Sequence, residues 1–492
     1  RLTLAGPGEG DPSAHLKSLR AEEGRIEDLQ RALGRASLRY QRTLSVPSLE
    51  ALGARLPESG GALVDFLAYR DESGTRQLMA SVLRRDGQGA LETELVTFPP
   101  LDKLEEGIRY YRELIQDEGV GDEELLEEAM FLYEDLWGPV AERVDPSAPI
   151  YLVPDGVLHI LPFDALADAD GRYLLETLDL RILSSARDLM PDSLPSAVAP
   201  PLVMAGPDYD TDAVADPEQL AEARSRAARG GAKAPPRRAD DDVEGPALSR
   251  AAVVLESLRA ASDGLRGLSF SPLPGARLEG ELIVRRLAQE DQAPRMLTAL
   301  DAQEAVLGRL DAPPRVLHLA THGFFLAPEE KLRKRLLKAQ RSAEMIIPPP
   351  GDNPLLRAGL AFAGINENAP FFGELDTRND GVLTALEVLD LDLTGTELAI
   401  LSACETGLGE IHEGEGVYGL RRAFQEAGVR EVVTSLWEVS DAGTQALMTA
   451  LYERLAIGMA PREALREAQR ELAASPRWGY PYVWAAFMMV SR

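Results

Sequence analysis

Two residues capable of nucleophilic catalysis follow two apolar, strand-like runs. His322 lies two residues after RVLHLA (315–320), and Cys404, the only cysteine, directly follows ELAILSA (397–403). A free thiol has a pKa near ~8.5 and is only slightly ionised at neutral pH, so it needs a neighbouring base. An imidazole can take the thiol proton and later protonate a leaving amine. If the two strands are neighbours in a parallel sheet, the sequence predicts a Cys–His pair at one sheet edge.

Backbone N–H groups beside this pair are candidates for an oxyanion hole. We expect those of Gly323 and Cys404 to fill this role, because a residue without a Cβ lets a substrate approach its backbone closely. His318 shares the strand face of His322 but lies inside an apolar run, so we interpret it as a hydrogen-bonded core residue. One cysteine and scattered histidines disfavour a zinc site. The predicted chemistry requires no metal and no organic cofactor.

A glycine-rich segment offers a remote alternative, a nucleotide-binding α/β domain. Residues 414–419 (GEGVYG) match G-x-G-x-x-G, and Glu438 lies 19 residues further on. The first glycine lies about ten residues past its strand, however, rather than in a tight turn. Glu410, Glu413 and Glu415 would also repel a pyrophosphate. The competing interpretation is that these glycines shape the loop that carries Cys404.

Composition excludes several classes of protein. The net charge of −28 over 492 residues argues against general nucleic-acid binding and against an anionic membrane surface. A single cysteine allows no intramolecular disulfide and predicts a reducing cytoplasm. No apolar run approaches the ~20 residues of a membrane span. The chain begins without Met or a signal-peptide core, so we expect a piece of a longer protein that lacks an upstream domain.

The pattern of apolar residues divides the chain near residue 145. Residues 1–145 predict helices within 15–43, an antiparallel meander and two amphipathic helices over 101–117 and 122–143. The meander strands are predicted at ALVDFLAYR (62–70), RQLMASVLRR (76–85) and LETELVTF (91–98).

Residues 146–492 alternate short apolar runs with helical stretches, which predicts a mostly parallel sheet of about six strands covered by helices on both faces. A linker is expected at 207–250 and a basic insertion at 326–375. The strands are predicted at 149–154, 201–206, 315–320, 397–403, 430–436 and 484–490. The helices are predicted at 277–288, 301–310, 416–427, 441–457 and 461–473.

The pairing of ATHG (320–323) with LSACETG (401–407) resembles the CHAT peptidase family, which is related to caspases and separases. VPDGVLHILPFDAL (153–166), LPGARLEGELI (273–283) and NPLLRAGLAFAG (353–364) also resemble family segments, in order. The resemblance implies a caspase-like fold and a bacterial-type cysteine endopeptidase whose dyad maps to His322 and Cys404. It also implies helical repeats upstream.

LWEVSDAGT (436–444) resembles the separase segment whose aspartate recognises a basic residue before the scissile bond. By that resemblance Asp441 lines the specificity pocket; its alternative role is a helix N-cap. Asp155 is a second candidate pocket acid or a turn residue. Glu405 would orient His322 or contact substrate, and Trp437 would form a pocket wall or pack in the core.

Two readings of the function remain open besides the nucleotide-binding one. The first is an endopeptidase acting on a protein substrate, gated by an upstream helical-repeat domain or a regulatory protein, with no nucleic acid or membrane as partner. The second is a protein-interaction module whose protease site is silent or gated. The basic segment KLRKRLLKAQR (331–341) is either a solvated helix face or a loop that the enzyme cuts in itself.

Overall fold

The structure is a computed structural model of the 492-residue chain. Cys404 and Glu405 lie outside the residues that it describes, as do the predicted helices within 15–43 and most of the linker and the basic insertion. The described residues are 46–58, 60–85, 89–117, 119–190, 196–197, 199–210, 269–289, 293–325, 354–368, 380–403, 410–412 and 416–492.

Eleven of the described strands form one sheet in the order β3-β2-β1-β4-β5-β16-β15-β12-β8-β6-β7. Seven of its ten neighbouring pairs are parallel, which confirms a mostly parallel α/β sheet. Its strands are β1 Ala62–Arg70, β2 Arg76–Arg85, β3 Leu91–Thr97, β4 Pro149–Val153, β5 Asp179–Leu183, β6 Leu202–Pro207, β7 Arg295–Ala299, β8 Val316–Ala320, β12 Leu398–Ser402, β15 Glu431–Ser435 and β16 Phe487–Ser491. A three-stranded sheet contains β9 Gly323–Phe325, β10 Ala358–Ala361 and β11 Val382–Thr384, and a hairpin contains β13 Glu410–His412 and β14 Gly416–Tyr418.

All six strands predicted after residue 146 are present, and the sheet is larger than predicted. Strands β5 (DLRIL) and β7 (RMLTA) were not predicted, because each five-residue run contains charged or polar residues. The predicted meander is present, but it does not stand apart from the rest. Strand β1 pairs in parallel with β4, and Val64 and Ile150 belong to one apolar core. The sheet and its core therefore continue across residue 145.

The sheet contains one reversal of direction that matters for any site at its edges. Strands β6, β7, β8, β12 and β15 run one way, while β1, β4, β5 and β16 run the other way, because β15 and β16 pair antiparallel. The carboxyl ends of β8 and β12 consequently share one edge, and the carboxyl end of β4 lies at the opposite edge.

Helices cover both faces of the sheet, as predicted. The helices are α1 Leu49–Gly53, α2 Leu101–Gln116, α3 Asp122–Leu132, α4 Gly138–Ala141, α5 Leu174–Thr177, α6 Pro274–Gln289, α7 Ile365–Asn368, α8 Ala385–Val388, α9 Leu420–Ala427, α10 Asp441–Ala456, α11 Pro461–Ala473 and α12 Pro481–Trp484. A π-helical turn follows α3 at Tyr133–Trp137, and 3₁₀ turns occur at Gly156–Ile160, Phe163–Ala165, Ala186–Leu189, Glu304–Arg309 and Pro354–Leu356. None of the described helices is long and apolar enough to cross a bilayer.

Successive residues of β8 and β12 enter two different apolar cores. Val316 and Ile400 pack in the core beneath α2, α6, α10 and α11, whereas Leu317 and Leu401 pack in the core beneath α8 and α9. Strands that are buried on both faces have continuous apolar sequences, so the sequence alone could identify these two runs as strands.

Two helix predictions were partly wrong. The run 301–310 forms only the 3₁₀ turn Glu304–Arg309, and residues 416–427 divide into strand β14 and helix α9. Gly419 is the N-cap of α9 and has extended backbone, so the helix begins after it. Glycines disfavour helix interiors, and two of them occupy the first four residues of the predicted helix.

A buried pair of carboxyl groups links the 3₁₀ turn to the three-stranded sheet. Glu304 is 4% exposed and Asp380, just before β11, is 1% exposed; Asp380 Oδ1 accepts the Val382 N–H at 2.9 Å. Burial first, and then the charges of Asp380 and Glu387, raise the pKa of Glu304; burial and Glu387 raise that of Asp380. The two groups therefore retain protons in the folded state at a pH where isolated carboxyls have lost them.

This pair predicts a pH-dependent stability. Because both pKa values are raised on folding, the stabilisation is fully present in acid, below the unfolded pKa of about 4, and is lost as the pH rises through the folded values. Asp380→Asn keeps an acceptor for Val382 and removes one proton. We expect its urea midpoint to decline less than that of wild type between about pH 5 and 8. The exposed Asp390→Asn is the control, and parallel pH profiles for D380N and wild type would contradict this account.

Candidate active site

Strands β8 and β12 are hydrogen-bonded neighbours, and their register brings the two candidate catalytic positions to one edge. Ala320 pairs with Ser402, and the Thr321 N–H continues the ladder with a 3.3 Å bond to the Ser402 carbonyl. His322 follows Ala320 by two residues, and position 404 follows Ser402 by two residues. Ala403, the last described residue before Cys404, is buried.

The imidazole of His322 is half-buried and held from three sides. The rings of Tyr209 and Phe270 lie 5.3 and 5.5 Å from it, and its Nε2 lies 2.8 Å from the Ser271 carbonyl oxygen. A carbonyl can only accept a hydrogen bond, so this contact places the proton on Nε2. Nδ1 is left as the nitrogen that can take up a further proton.

The backbone N–H of Gly323 points away from its partner strand. The Ala361 N–H donates to the His322 carbonyl, so these two residues form a hydrogen-bonded pair of the antiparallel β9–β10 ladder. Gly323 and Leu360 are then the adjacent non-hydrogen-bonded pair. Since β9 is an edge strand of its sheet, this N–H faces outward, as an oxyanion donor requires.

Thr321 anchors the histidine loop from below. It is buried, its hydroxyl contacts the Ala361 carbonyl, and the Tyr209 hydroxyl lies 3.0 Å from the same Thr321 oxygen. Tyr209 therefore contacts both the histidine ring and the residue before it. These bonds fix the direction in which His322 leaves β8.

A small cavity of about 50 Å³ opens beside Ala403, beneath α6 and α10. Trp437 and Phe487 contribute apolar walls, and Glu279 and Asp441 contribute carboxyl groups. Thr321 and Ser402 also line the cavity, so it adjoins the ends of both candidate strands. This position is suitable for the side chain that precedes a scissile bond.

Asp441 lines the cavity and is not the N-cap of its helix. Ser440 is the N-cap, because its hydroxyl accepts the Gly443 N–H at 3.3 Å, and Asp441 is the first residue of α10. The N-cap alternative for Asp441 is therefore wrong. The Asp441 side chain is exposed, and no cationic side chain among the described residues lies within ion-pair distance of it. A helix N-terminus stabilises a carboxylate at this position.

Trp437 packs in the core and also lines the cavity. The side chain is 1% exposed and lines the cavity, and its indole N–H donates to the Tyr482 carbonyl at 2.9 Å. The Arg112 guanidinium lies 5.6 Å from the indole centre, and it donates to the carbonyls of Leu436 and Ile160 at 2.9 and 2.6 Å. The indole is thus a rigid wall fixed by helix α2.

Asp155 does not line the cavity and lies at the other edge of the sheet. It follows β4, whose carboxyl end is at the edge opposite to His322. Its carboxylate is buried and accepts the Ala68 and Gly156 N–H groups, each at 2.8 Å. It therefore caps the 3₁₀ turn Gly156–Ile160, close to the turn role considered for it.

The structure also places residues at the site that sequence reasoning missed. Tyr209, Phe270 and Ser271 surround His322 but come from segments 50 or more residues away in the chain. Glu279 had a detectable signal, since it is a charged residue on the buried face of α6. His318 is fully buried, as expected, with its Nε2 2.9 Å from Glu279 Oε1.

The described part of the glycine-rich segment, residues 416–419, does not adopt the geometry of a nucleotide-binding turn. Gly416–Tyr418 forms strand β14, which pairs antiparallel with Glu410–His412 in a hairpin. A dinucleotide fingerprint requires a tight turn leading from a strand directly into a helix. Among the described residues, no group of three or more acidic, histidine or cysteine side chains could hold a metal ion.

The model of the CHAT domain family matches residues 126–492, about three quarters of the chain. The chain belongs to the CHAT domain family, which confirms the resemblance carried by ATHG and LSACETG.

Curated relatives match shorter segments. Human tetratricopeptide repeat protein 28 is 35% identical over 109 residues, 22% of this chain and 4% of the relative. Rice U-box domain-containing protein 4 is 30% identical over 208 residues, 35% of this chain and 28% of the relative. The chain thus spans a minor part of these relatives. They are eukaryotic, and the bacterial source stays a prediction.

Two solved structures are similar to the chain at low identity and low TM-score. The Saccharomyces cerevisiae separase–securin complex gives a TM-score of 0.43 at 10% identity, covering 90% of this chain and 30% of that chain. The Arg-specific cysteine proteinase gingipain R gives 0.34 at 8% identity, covering 79% and 73%.

The position of Asp155 yields a test that separates structural from pocket roles. Asp155→Ala leaves two backbone donors without their acceptor, so we expect a loss of about 2–4 kcal/mol in the free energy of unfolding. Under the peptidase hypothesis that the sequence suggests, peptide cleavage by the folded fraction should stay within about twofold of wild type, because Asp155 lies at the edge opposite to His322. Urea unfolding and peptide hydrolysis measure the two effects. A stable variant with altered cleavage preference would return Asp155 to the pocket.

Proposed function

We propose that the protein is a cysteine endopeptidase in which Cys404 is the nucleophile and His322 is the general base. The observation that carries this proposal is the register of β8 and β12, in which Ala320 pairs with Ser402. Neighbouring strands lie about 4.8 Å apart. The chain therefore leaves the sheet at neighbouring points after Ala320 and after Ser402. We propose that this start brings His322 and Cys404 within reach of proton transfer. Membership of the CHAT family supports the same assignment.

In the mechanism that we propose, peptide hydrolysis proceeds in two stages. Nδ1 of His322 takes the thiol proton, and the thiolate attacks the peptide carbonyl carbon. The outward N–H of Gly323, with that of Cys404, stabilises the developing oxyanion. The imidazolium returns its proton to the leaving amine as the C–N bond breaks, which leaves a thioester. Water, deprotonated by the same imidazole, then releases the acid and restores the thiol.

We further propose that cleavage follows a basic residue. The Asp441 carboxylate lines the cavity together with Ala403, the residue that directly precedes the proposed nucleophile. Among the described residues, Asp441 has no cationic partner. Trp437 would flank the aliphatic stem of an Arg or Lys side chain. Glu405 directly follows the nucleophile in sequence, and its contact with His322 or substrate is part of this proposal.

The size of the cavity favours a gated enzyme. At about 50 Å³ it is far smaller than the roughly 300 Å³ at which ligand pockets begin, so a substrate must widen it. We propose that an upstream helical-repeat region or a regulatory protein promotes this widening. The human relative is named for tetratricopeptide repeats, which agrees with that proposal. The single thiol suits a reducing compartment such as the cytoplasm.

The dyad is tested by Cys404→Ala and His322→Ala. We expect C404A to abolish hydrolysis of a peptide library and H322A to lower kcat by roughly 100- to 10,000-fold, because proton transfer is lost. Circular dichroism should show native folding for both. H322A should also slow alkylation of Cys404 by iodoacetamide at neutral pH, since the thiolate fraction falls. Full hydrolysis by folded H322A would refute the assignment of the base.

The basic preference is tested by Asp441→Asn, which keeps the shape and removes the charge. We expect kcat/KM for peptides with Arg before the scissile bond to fall about 10- to 100-fold, because a charge-assisted hydrogen bond is lost. A wild-type preference for Asp or a large apolar residue would contradict this pocket.

Mass spectrometry of wild type beside C404A would show whether the segment 331–341 is cut by the enzyme itself.

A further inference from the structure

Helix α6 contributes a second wall to the cavity, opposite α10. Gly275 and Glu279 lie one turn apart on α6, so they occupy the same helix face, and both line the cavity. A Cβ built on Gly275 would lie 2.2 Å from Asp441 Oδ2 and 2.4 Å from its Cγ. Only glycine therefore lets the Asp441 carboxylate rest against the start of α6.

Glu279 lies deeper than Asp441 and has unsatisfied hydrogen-bonding capacity. It is 4% exposed, and its Oε1 is buried without an aligned hydrogen bond among the described residues, although His318 Nε2 is 2.9 Å away. In the described part of the chain, both ring nitrogens of His318 and the hydroxyl of Tyr452 are also buried without an aligned hydrogen bond. The Tyr452 ring meets the His318 ring edge-on at 5.6 Å. Buried polar atoms that lack hydrogen-bond partners normally require one.

We propose that Glu279 forms the closed end of the specificity pocket and binds the guanidinium of an arginine, with Asp441 at the mouth and Gly275 as the positioning residue for Asp441. This inference rests on the proposed peptidase function and adds two specificity determinants to it. His318, on strand β8, contacts Glu279 at 2.9 Å. With Glu279 at its closed end and Asp441 at its mouth, the proposed pocket has a carboxyl group at each end.

Two acidic groups at different depths favour arginine over lysine. Guanidinium carries five N–H donors in a planar fork and can reach more than one acceptor at once, whereas an ammonium is a compact, strongly hydrated point charge. Burial of the ligand also favours guanidinium, which is more weakly hydrated. We therefore expect the wild-type enzyme to cleave after Arg at least about tenfold more efficiently than after Lys.

The first test is Glu279→Gln, assayed with matched peptides that differ only in Arg or Lys before the scissile bond. We expect kcat/KM for the Arg peptide to fall about 10- to 100-fold and the Arg-to-Lys ratio to fall with it. Glu281→Gln is the matched control, because Glu281 is on the same helix but only half-buried and paired with Arg277. An unchanged Arg-to-Lys ratio in folded E279Q would overturn the assignment of Glu279.

The second test is Gly275→Ala, which does not depend on the folding of E279Q. The new methyl group displaces the end of a flexible side chain, so the carboxylate of Asp441 must rotate away. We expect G275A to lower kcat/KM for Arg peptides about 10- to 100-fold, and to have little further effect in a D441N background. Gly121→Ala is the control, since a Cβ there meets nothing within 4 Å.

The outcomes separate this inference from the proposed function. If wild type cleaves no peptide with or without an upstream domain, the peptidase function fails and this inference fails with it. If wild type cleaves after Arg but E279Q keeps the Arg-to-Lys ratio, or G275A and D441N lower activity additively, the peptidase function stands and the two-acid pocket is refuted.

Discussion

The parallel pairing of β8 with β12 is the constraint on which the site depends. These two strands are separated by 77 residues in sequence but adjacent in the sheet, and their register decides which residues leave the sheet side by side. A shift of one residue would turn every side chain of a strand to the other face. Both faces are occupied by separate apolar cores, with Val316 in one and Leu317 in the other. Burial on both sides therefore fixes the register, and the register places the loops.

Much of this arrangement could be predicted from the sequence. Runs such as RVLHLA and ELAILSA are apolar throughout because each face of the strand is covered, and such runs are conspicuous in a chain that is 27% charged. Helices α6, α10 and α11 were predicted because their apolar residues recur at helical spacing. The position of His322 followed from where its run ends, and that of Asp441 from the resemblance of LWEVSDAGT to the separase segment. Cys404 and Glu405 lie outside the described residues, and their roles remain proposals.

The direction of each strand could not be predicted. An apolar run has the same composition whichever way it crosses the sheet, so nothing in PIYLVP indicated that β4 runs opposite to β8. That reversal separates Asp155 from His322. The partners of His322 were also hidden, since Tyr209, Phe270 and Ser271 meet it only through tertiary structure. Short strands with charged residues, such as DLRIL, gave too weak a pattern to detect.

The Arg112 side chain links the first part of the chain to the wall of the cavity. This guanidinium comes from α2, is 9% exposed, and joins the Leu436 and Ile160 carbonyls under the indole of Trp437. The family match begins only at residue 126. Recombinant fragments trimmed to the family boundary would thus lose the guanidinium beneath the tryptophan and its hydrogen bonds to two interior carbonyls. The family match and the physical unit of the chain consequently have different borders, because β1 and α2 belong to the same sheet and core as the matched residues.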